Sequence, residues 1–262
     1  MLLAIDIGNS HTVLGAYDGD RLATEWRVTT LDLRTEDEVG LQTRTFLRDR
    51  GIEPARITRI GISSVVPPMT EAYERMSRSA FSREPVVVNG LMDLGFRILY
   101  ENPLAVGADR LCNAIAGFAK YGGPLIIVDF GTATTYDVVA KNGDYLGGVI
   151  APGVETSAAD LHRRAAKLPR VELRLPSTLV GRDTVSSIQS GILYGAIDAT
   201  EGMVQRLKDA LAHDQGSVPK VIGTGGFSSF IRQHSAAIDH LEPSLVLEGI
   251  RLVCDRVQPV QR

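Results

Sequence analysis

The feature that most constrains this chain is an internal echo. Leu3-Ala4-Ile5-Asp6-Ile7-Gly8 opens it, and Ile126-Ile127-Val128-Asp129-Phe130-Gly131 returns near its middle. One offset of 123 residues relates Asp6 to Asp129, Gly8 to Gly131 and Thr12 to Thr135. Each copy then runs through β-forming residues into a turn, Asp18-Gly19-Asp20 in the first and Asn142-Gly143-Asp144 in the second, where the alignment slips by one residue. Asn-Gly is a strong hairpin signal because both residues tolerate the positive φ such turns need. A third run follows each turn, Arg21 to Val28 and Tyr145 to Ile150. Each half is therefore predicted to open as a three-stranded antiparallel meander.

The remaining periodicity alternates helix and strand. The first half predicts a helix over Glu36 to Arg50, a strand over Arg59 to Ser64, a helix over Met69 to Phe81 and a strand near Pro85 to Val88. From Ala108 an amphipathic helix sets Leu111, Ile115 and Phe118 on one face, and Gly122-Gly123-Pro124 breaks it. That break divides the chain into a half over 1–121 and a half over 122–262. The second half predicts helices near Val154 to Ala166, Asp183 to Ala212 and Ser244 to Val257, and a strand at Lys220 to Ile222 leading into Gly223-Thr224-Gly225-Gly226. Both halves read as α/β.

Composition narrows the function classes. A chain of 262 residues can bury a sizeable core, and a net charge of −3 gives no field to attract nucleic acid. No apolar run is long enough to span a bilayer, and Met1 to Asp6 lacks a basic region and reads as a strand, so the expected location is the cytoplasm, away from the membrane. Cys112 and Cys254 lie far apart within apolar helical patterns and are expected as buried core thiols. The five histidines, His11, His162, His213, His234 and His240, show no metal-ligand spacing.

Strands that end in Asp and turn through glycine and hydroxyl residues suit a phosphate site built from two facing halves. Glycine lets backbone N–H groups approach a phosphate, Ser and Thr add donors, and Asp holds a cation. The usual nucleotide fingerprints are missing: a dinucleotide pattern would need glycine at Ser228, and no Walker loop occurs.

With those residues set out, the chain resembles the actin-like phosphotransferases, a superfamily that includes sugar and acetate kinases. The narrower resemblance is to type III pantothenate kinase. It rests on Asp6-Ile7-Gly8-Asn9-Ser10-His11-Thr12, Asn102-Pro103 with Gly107-Ala108-Asp109-Arg110, Asp129-Phe130-Gly131-Thr132-Ala133-Thr134, Gly147-Gly148-Val149-Ile150-Ala151-Pro152-Gly153 and Thr224-Gly225-Gly226, in order and over nearly the whole chain. The resemblance implies a duplicated ribonuclease H-like (actin-like ATPase) fold with two halves around a central nucleotide cleft. It further implies phosphorylation of pantothenate by ATP with Mg²⁺ and a monovalent cation, potassium or ammonium, in a homodimer.

It also implies site residues, and each has a plain structural alternative. Asp6 through Val13 (Asp6, Ile7, Gly8, Asn9, Ser10, His11, Thr12 and Val13) would form the first phosphate loop, with Asp6 toward Mg²⁺; the same residues could simply satisfy a hairpin. Asp129 would bind the monovalent cation and Thr132 would contact ATP, while Asp137 reads as a structural polar residue. Asp109 is the candidate general base, a role an ionised carboxylate can fill in phosphoryl transfer; Gly-Ala-Asp-Arg could equally be a capped helix start. Tyr100, Gly107, Ala108, Arg110 and Thr184 would bind pantothenate, Thr184 across a dimer interface. Gly225 and Gly226 would let the adenine lie against bare backbone. Two competing functions share these motifs: a nucleotide-binding regulator without catalysis, which would have no need of Asp109, and a kinase for another small hydroxyl acceptor.

Overall fold

The computed structural model describes residues 1–31 and 34–257. By internal contact the chain forms two compact units, Met1–Lys120 with the segment from Ser244, and Tyr121–Pro243.

In the first unit β1 (Leu2–Ile7), β2 (His11–Asp18) and β3 (Arg21–Thr29) form the expected antiparallel meander, and Gly19 takes positive φ at its second turn. Helix α1 (Glu36–Asp49) begins at a capping box in which Thr35 accepts from the Glu38 N–H and the Glu38 carboxylate accepts from the Thr35 N–H, closing two otherwise orphaned donors. Then come β4 (Arg59–Ser64), α2 (Pro67–Phe81), β5 (Val86–Val87) and α3 (Ala108–Tyr121). Helix α2 starts two residues earlier than its periodicity predicts because Pro67 sits in the first turn, where its missing N–H costs nothing. The sheet order is β3-β2-β1-β4-β5, with β4 and β5 parallel to β1.

Strand β1 is apolar and buried along nearly its full length, as a central strand covered on both faces must be. Leu3, Ile5, Ile7, Ile62, Tyr73 and Met76 belong to one continuous core.

The second unit repeats the plan. Strands β6 (Leu125–Phe130), β7 (Ala133–Val139) and β8 (Tyr145–Pro152) form a second antiparallel meander. They are followed by α4 (Val154–Arg164), α5 (Thr184–Gln215), β9 (Lys220–Gly225), α6 (Ser228–His234) and β10 (His240–Leu241). The order β10-β9-β6-β7-β8 is that of the first sheet with each strand replaced by its counterpart. Helix α5, 32 residues long, packs Ile197, Val204 and Leu211 into this core at sevenfold spacing.

Besides the start of α2, and helix α6 and strand β10, which the periodicity does not predict, three further points differ from the sequence expectation. The last helix, α7 (Leu245–Arg256), packs on the first sheet, where Leu247 reaches Gly15 and Ile250 reaches Gly61. By contact, therefore, the segment from Ser244 groups with the first unit, whereas the break at Gly122 alone would leave it with the second. Strand β9 continues through Gly223, Thr224 and Gly225, which the glycine count reads as a turn; pairing with β6 holds them in the sheet. Finally, α3 buries Leu111, Cys112, Asn113, Ala116 and Gly117, while Ile115 and Phe118 of the expected stripe are only half-buried. Cys112 and Cys254 are both buried free thiols.

Candidate active site

The first acid-bearing turn lies at the C-terminal end of β1, where parallel strands of open α/β sheets present ligand sites. Gly8, Asn9 and Ser10 make the turn, closed by the Gly8 N–H donating to the His11 carbonyl at 3.0 Å. Asn9, Ser10 and His11 are exposed, whereas the Thr12 side chain is buried and its hydroxyl bonds Thr30 at 2.9 Å. Thr12 therefore braces the turn from within.

Asp6 stands opposite Ser63 of β4 in register, and the fully buried Ser63 hydroxyl donates to Asp6 Oδ1 at 3.1 Å. The same hydroxyl interacts with the Cys112 thiol on α3. Cys112 is pushed well up, first by burial and then by the charges of Asp6 and Asp109, so both carboxylates bear on one buried thiol. In this way β1, β4 and the start of α3 gather Asp6, Ser63 and Asp109 into one neighbourhood of the first unit.

Asp109 sits half-buried in the first turn of α3, with Oδ1 accepting from the Arg110 N–H at 2.8 Å. Burial raises its pKa above the ordinary 3.8; the Arg110 N–H and the Arg110 charge oppose this. A carboxylate raised by burial is a better proton acceptor than one in water, while remaining ionisable. Gly107 lies close beside it, and a Cβ there would push the Asp109 carboxylate from its place.

In the second unit Gly131 and Thr132 form the corresponding turn, and the Gly131 N–H donates to the Ala133 carbonyl at 3.0 Å. The Thr132 carbonyl accepts from the Gly153 N–H at 3.1 Å and from the Thr156 hydroxyl at 2.6 Å. Asp129 pairs in register with Thr224 of β9, and the next pair is Phe130 with Gly225. Gly225 has φ +82, and a Cβ there would lie 2.5 Å from Asp129 Oδ1 and 2.7 Å from the Phe130 carbonyl oxygen. Glycine thus lets Asp129 Oδ1 and the Phe130 backbone nitrogen and carbonyl oxygen lie close against bare backbone. Gly226 follows in the turn, and the Ser228 hydroxyl donates to the Gly225 carbonyl at 2.7 Å. Asp137 is fully buried and accepts from the Tyr145 hydroxyl at 2.7 Å, a structural bond.

The other sequence-predicted residues lie apart from these turns along the chain. Tyr100 is exposed in the loop before α3, and Ala108 and Arg110 are buried at the helix start. Thr184 is exposed at the first position of α5, after the Asp183 cap, and with Gly181, Arg182 and Ile188 lines a cavity of about 600 Å³.

Ser63, Thr30 and Thr156 escaped the sequence reading. A usable signal existed for Ser63: both fourth strands of the repeat carry a hydroxyl residue, Ser63 and Thr224, opposite the repeated Asp.

Among the described residues no three His, Cys, Asp or Glu side chains converge as a metal cage, and no helix is long and apolar enough to cross a membrane. Mg²⁺ is commonly held by one or two carboxylates together with waters and substrate phosphates. A single Asp6 carboxylate oriented by Ser63 therefore fits it.

Comparison with known proteins agrees with this geometry. The type III pantothenate kinase family's sequence model matches residues 2–206. Proteins named type III pantothenate kinase from Anaeromyxobacter sp. (strain Fw109-5) and Geobacter sulfurreducens are each 46% identical over 256 residues, covering 98% of this chain and 99% of theirs. Among solved structures, a ROK hexokinase from Thermus thermophilus superposes with a TM-score of 0.53 at 16% identity, over 96% of this chain and 97% of its own. The ethanolamine utilization protein EutJ from Carboxydothermus hydrogenoformans does so with 0.52 at 15% identity, over 96% and 89%. These neighbours share the duplicated ribonuclease H-like fold, and by its sequence the chain belongs to the type III pantothenate kinase family.

Proposed function

We propose that the chain transfers the γ-phosphoryl group of ATP to the primary hydroxyl of pantothenate, giving 4'-phosphopantothenate and ADP, the first step toward coenzyme A, in the cytoplasm. The hydroxyl oxygen bonds to phosphorus, the bond from phosphorus to the β,γ-bridging oxygen breaks, and Asp109 accepts the hydroxyl proton. The observation that carries this reading is Asp109 itself, half-buried at the start of α3, where the preceding Gly107 lies against Val65, whose N–H donates to the Ile7 carbonyl next to Asp6. Asp6, steadied by Ser63, would hold Mg²⁺; when bound, the ion supplies neutralisation of charge on the transferring group. The turn from Gly8 to Ser10 binds phosphate, and Thr132, Gly225 and Gly226 meet the nucleotide.

The monovalent cation, potassium or ammonium, belongs at Asp129, where Gly225 sets bare backbone against Asp129 Oδ1 and the Phe130 carbonyl oxygen. Tyr100, Gly107, Ala108 and Arg110 bind pantothenate from the side of Asp109. Thr184 contributes from the second protomer of a homodimer; the exposed Leu179, Val180 and Val185 around it suit a covered surface.

The decisive experiment incubates the protein with ATP, Mg²⁺, potassium and a panel of small hydroxyl acceptors and detects the phosphorylated product by mass. Phosphopantothenate as the main product is the expected result. Nucleotide binding without product would favour the regulator, and another phosphorylated acceptor would change the substrate.

A further inference from the structure

Thr30, the residue after β3, touches the first turn at both ends. Its N–H donates to the Ser10 carbonyl at 3.0 Å, and its hydroxyl donates to the Gly8 carbonyl at 2.7 Å. The single hydroxyl proton is committed to Gly8, so in the 2.9 Å contact with Thr12 it is Thr12 that donates. The buried Tyr73 hydroxyl interacts with Thr12 in turn. A line of hydroxyls runs from the core to one carbonyl of the turn.

A planar trans peptide points its N–H opposite to its C=O. Fixing the Gly8 carbonyl toward Thr30 therefore aims the Asn9 N–H away from it, and fixing the Ser10 carbonyl does the same for the His11 N–H. We infer that Thr30 is a positioning residue for the nucleotide phosphates, holding two peptide planes of the turn so that their N–H groups face the ligand without rearranging when it arrives. Such preorganised donors bind developing charge without a reorganisation cost. The second turn has only half of this device: the Gly153 N–H repeats the backbone contact to Thr132, and glycine has no hydroxyl.

This inference rests on the first turn being the phosphate site, and the test separates the two. Thr30→Val keeps the side-chain shape and removes the hydroxyl. Titration with MgADP by calorimetry should show about five- to tenfold weaker binding, and the KM for ATP should rise with the KM for pantothenate unchanged. Thr30→Ser, which restores the hydroxyl, should bind within about twofold of the parent. Should the valine variant not fold, Thr30→Ala carries the same expectation. Parental MgADP affinity in Thr30→Val, equal losses for both substrates, or equal losses in the valine and serine variants would each overturn the positioning role. Asp6→Asn, run beside them, tells which idea failed. If it weakens MgADP and Thr30→Val does not, Thr30 alone is dismissed; if neither does, the phosphate site is elsewhere.

Discussion

At the first turn Thr30 gives both a backbone N–H, to Ser10, and a hydroxyl, to Gly8; at the second, Gly153 gives only its N–H, to Thr132, and Thr156 adds a hydroxyl from the next helix. The acids differ likewise. Asp6 is bonded by the hydroxyl of Ser63, its partner in register, whereas Asp129 lies against Gly225, a position with no room for a side chain. Strand order and backbone clamps recur in both units, and each acid faces a hydroxyl residue in register, Ser63 or Thr224, but the hydroxyls that brace the two turns come from different places in the chain. The comparison teaches that the repeat retained what the backbone needs to make an acid-bearing turn, while the chemistry at each turn was set separately.

The strongest test of unequal roles is Asp109→Asn, because this half-buried carboxylate is the proposed proton acceptor of the first unit. Steady-state kinetics should show kcat lower by roughly 10² to 10⁴. Stability should move the other way. Burial raises the Asp109 pKa, so its ionised form costs the fold stability above the ordinary value of 3.8, and the cost disappears as pH falls below 3.8, where folded and unfolded chains both carry the proton. Thermal melts should find the Asn variant at least as stable as the parent at neutral pH, with any advantage fading in acid. An Asn variant with parental turnover would end the asymmetry proposed for the first unit.

Next in size are the paired acids. Asp6→Asn should lower kcat/KM roughly 10²-fold and raise the Mg²⁺ concentration needed for half-maximal rate. Asp129→Asn should instead weaken the response to potassium by about tenfold or more, leaving the Mg²⁺ dependence in place. Titrating both ions against both variants reads this directly, and a crossed result, with Asp129→Asn shifting Mg²⁺, would break the division of labour.

Glycine replacement sharpens the same contrast through stability. At Gly225 the positive φ and the contacts with Asp129 and Phe130 make alanine costly, about 2 kcal/mol and some 5 °C in Tm. At Gly8 a Cβ would meet only the His11 carbonyl at 3.1 Å, so alanine should cost less than about 1 kcal/mol. Chemical denaturation of the two variants gives the difference; equal losses would mean the turns are held alike. The smallest expected effect is Thr156→Val, which removes one exposed hydroxyl bond to Thr132 worth about 0.5 kcal/mol by the same measurement.

Much of this architecture was legible in the chain itself. The repeat around Asp6 and Asp129, the meanders and the strand over Arg59–Ser64 all follow from alternation, turn residues and spacing within short windows. Those signals are local, and a turn such as Asn142-Gly143 needs no distant partner to be recognised. Partnership across the fold is different in kind. That Ser63 bonds Asp6 depends on a parallel register between strands 57 residues apart, which no local pattern encodes. Likewise, pairing with β6 holds Gly223 to Gly225 in the sheet, and contact with the first sheet groups α7 with the first unit. The sequence by itself determined which residues turn and which alternate; only the tertiary structure decided which hydroxyl steadies which acid, because hydrogen bonds are set by distances the chain acquires on folding.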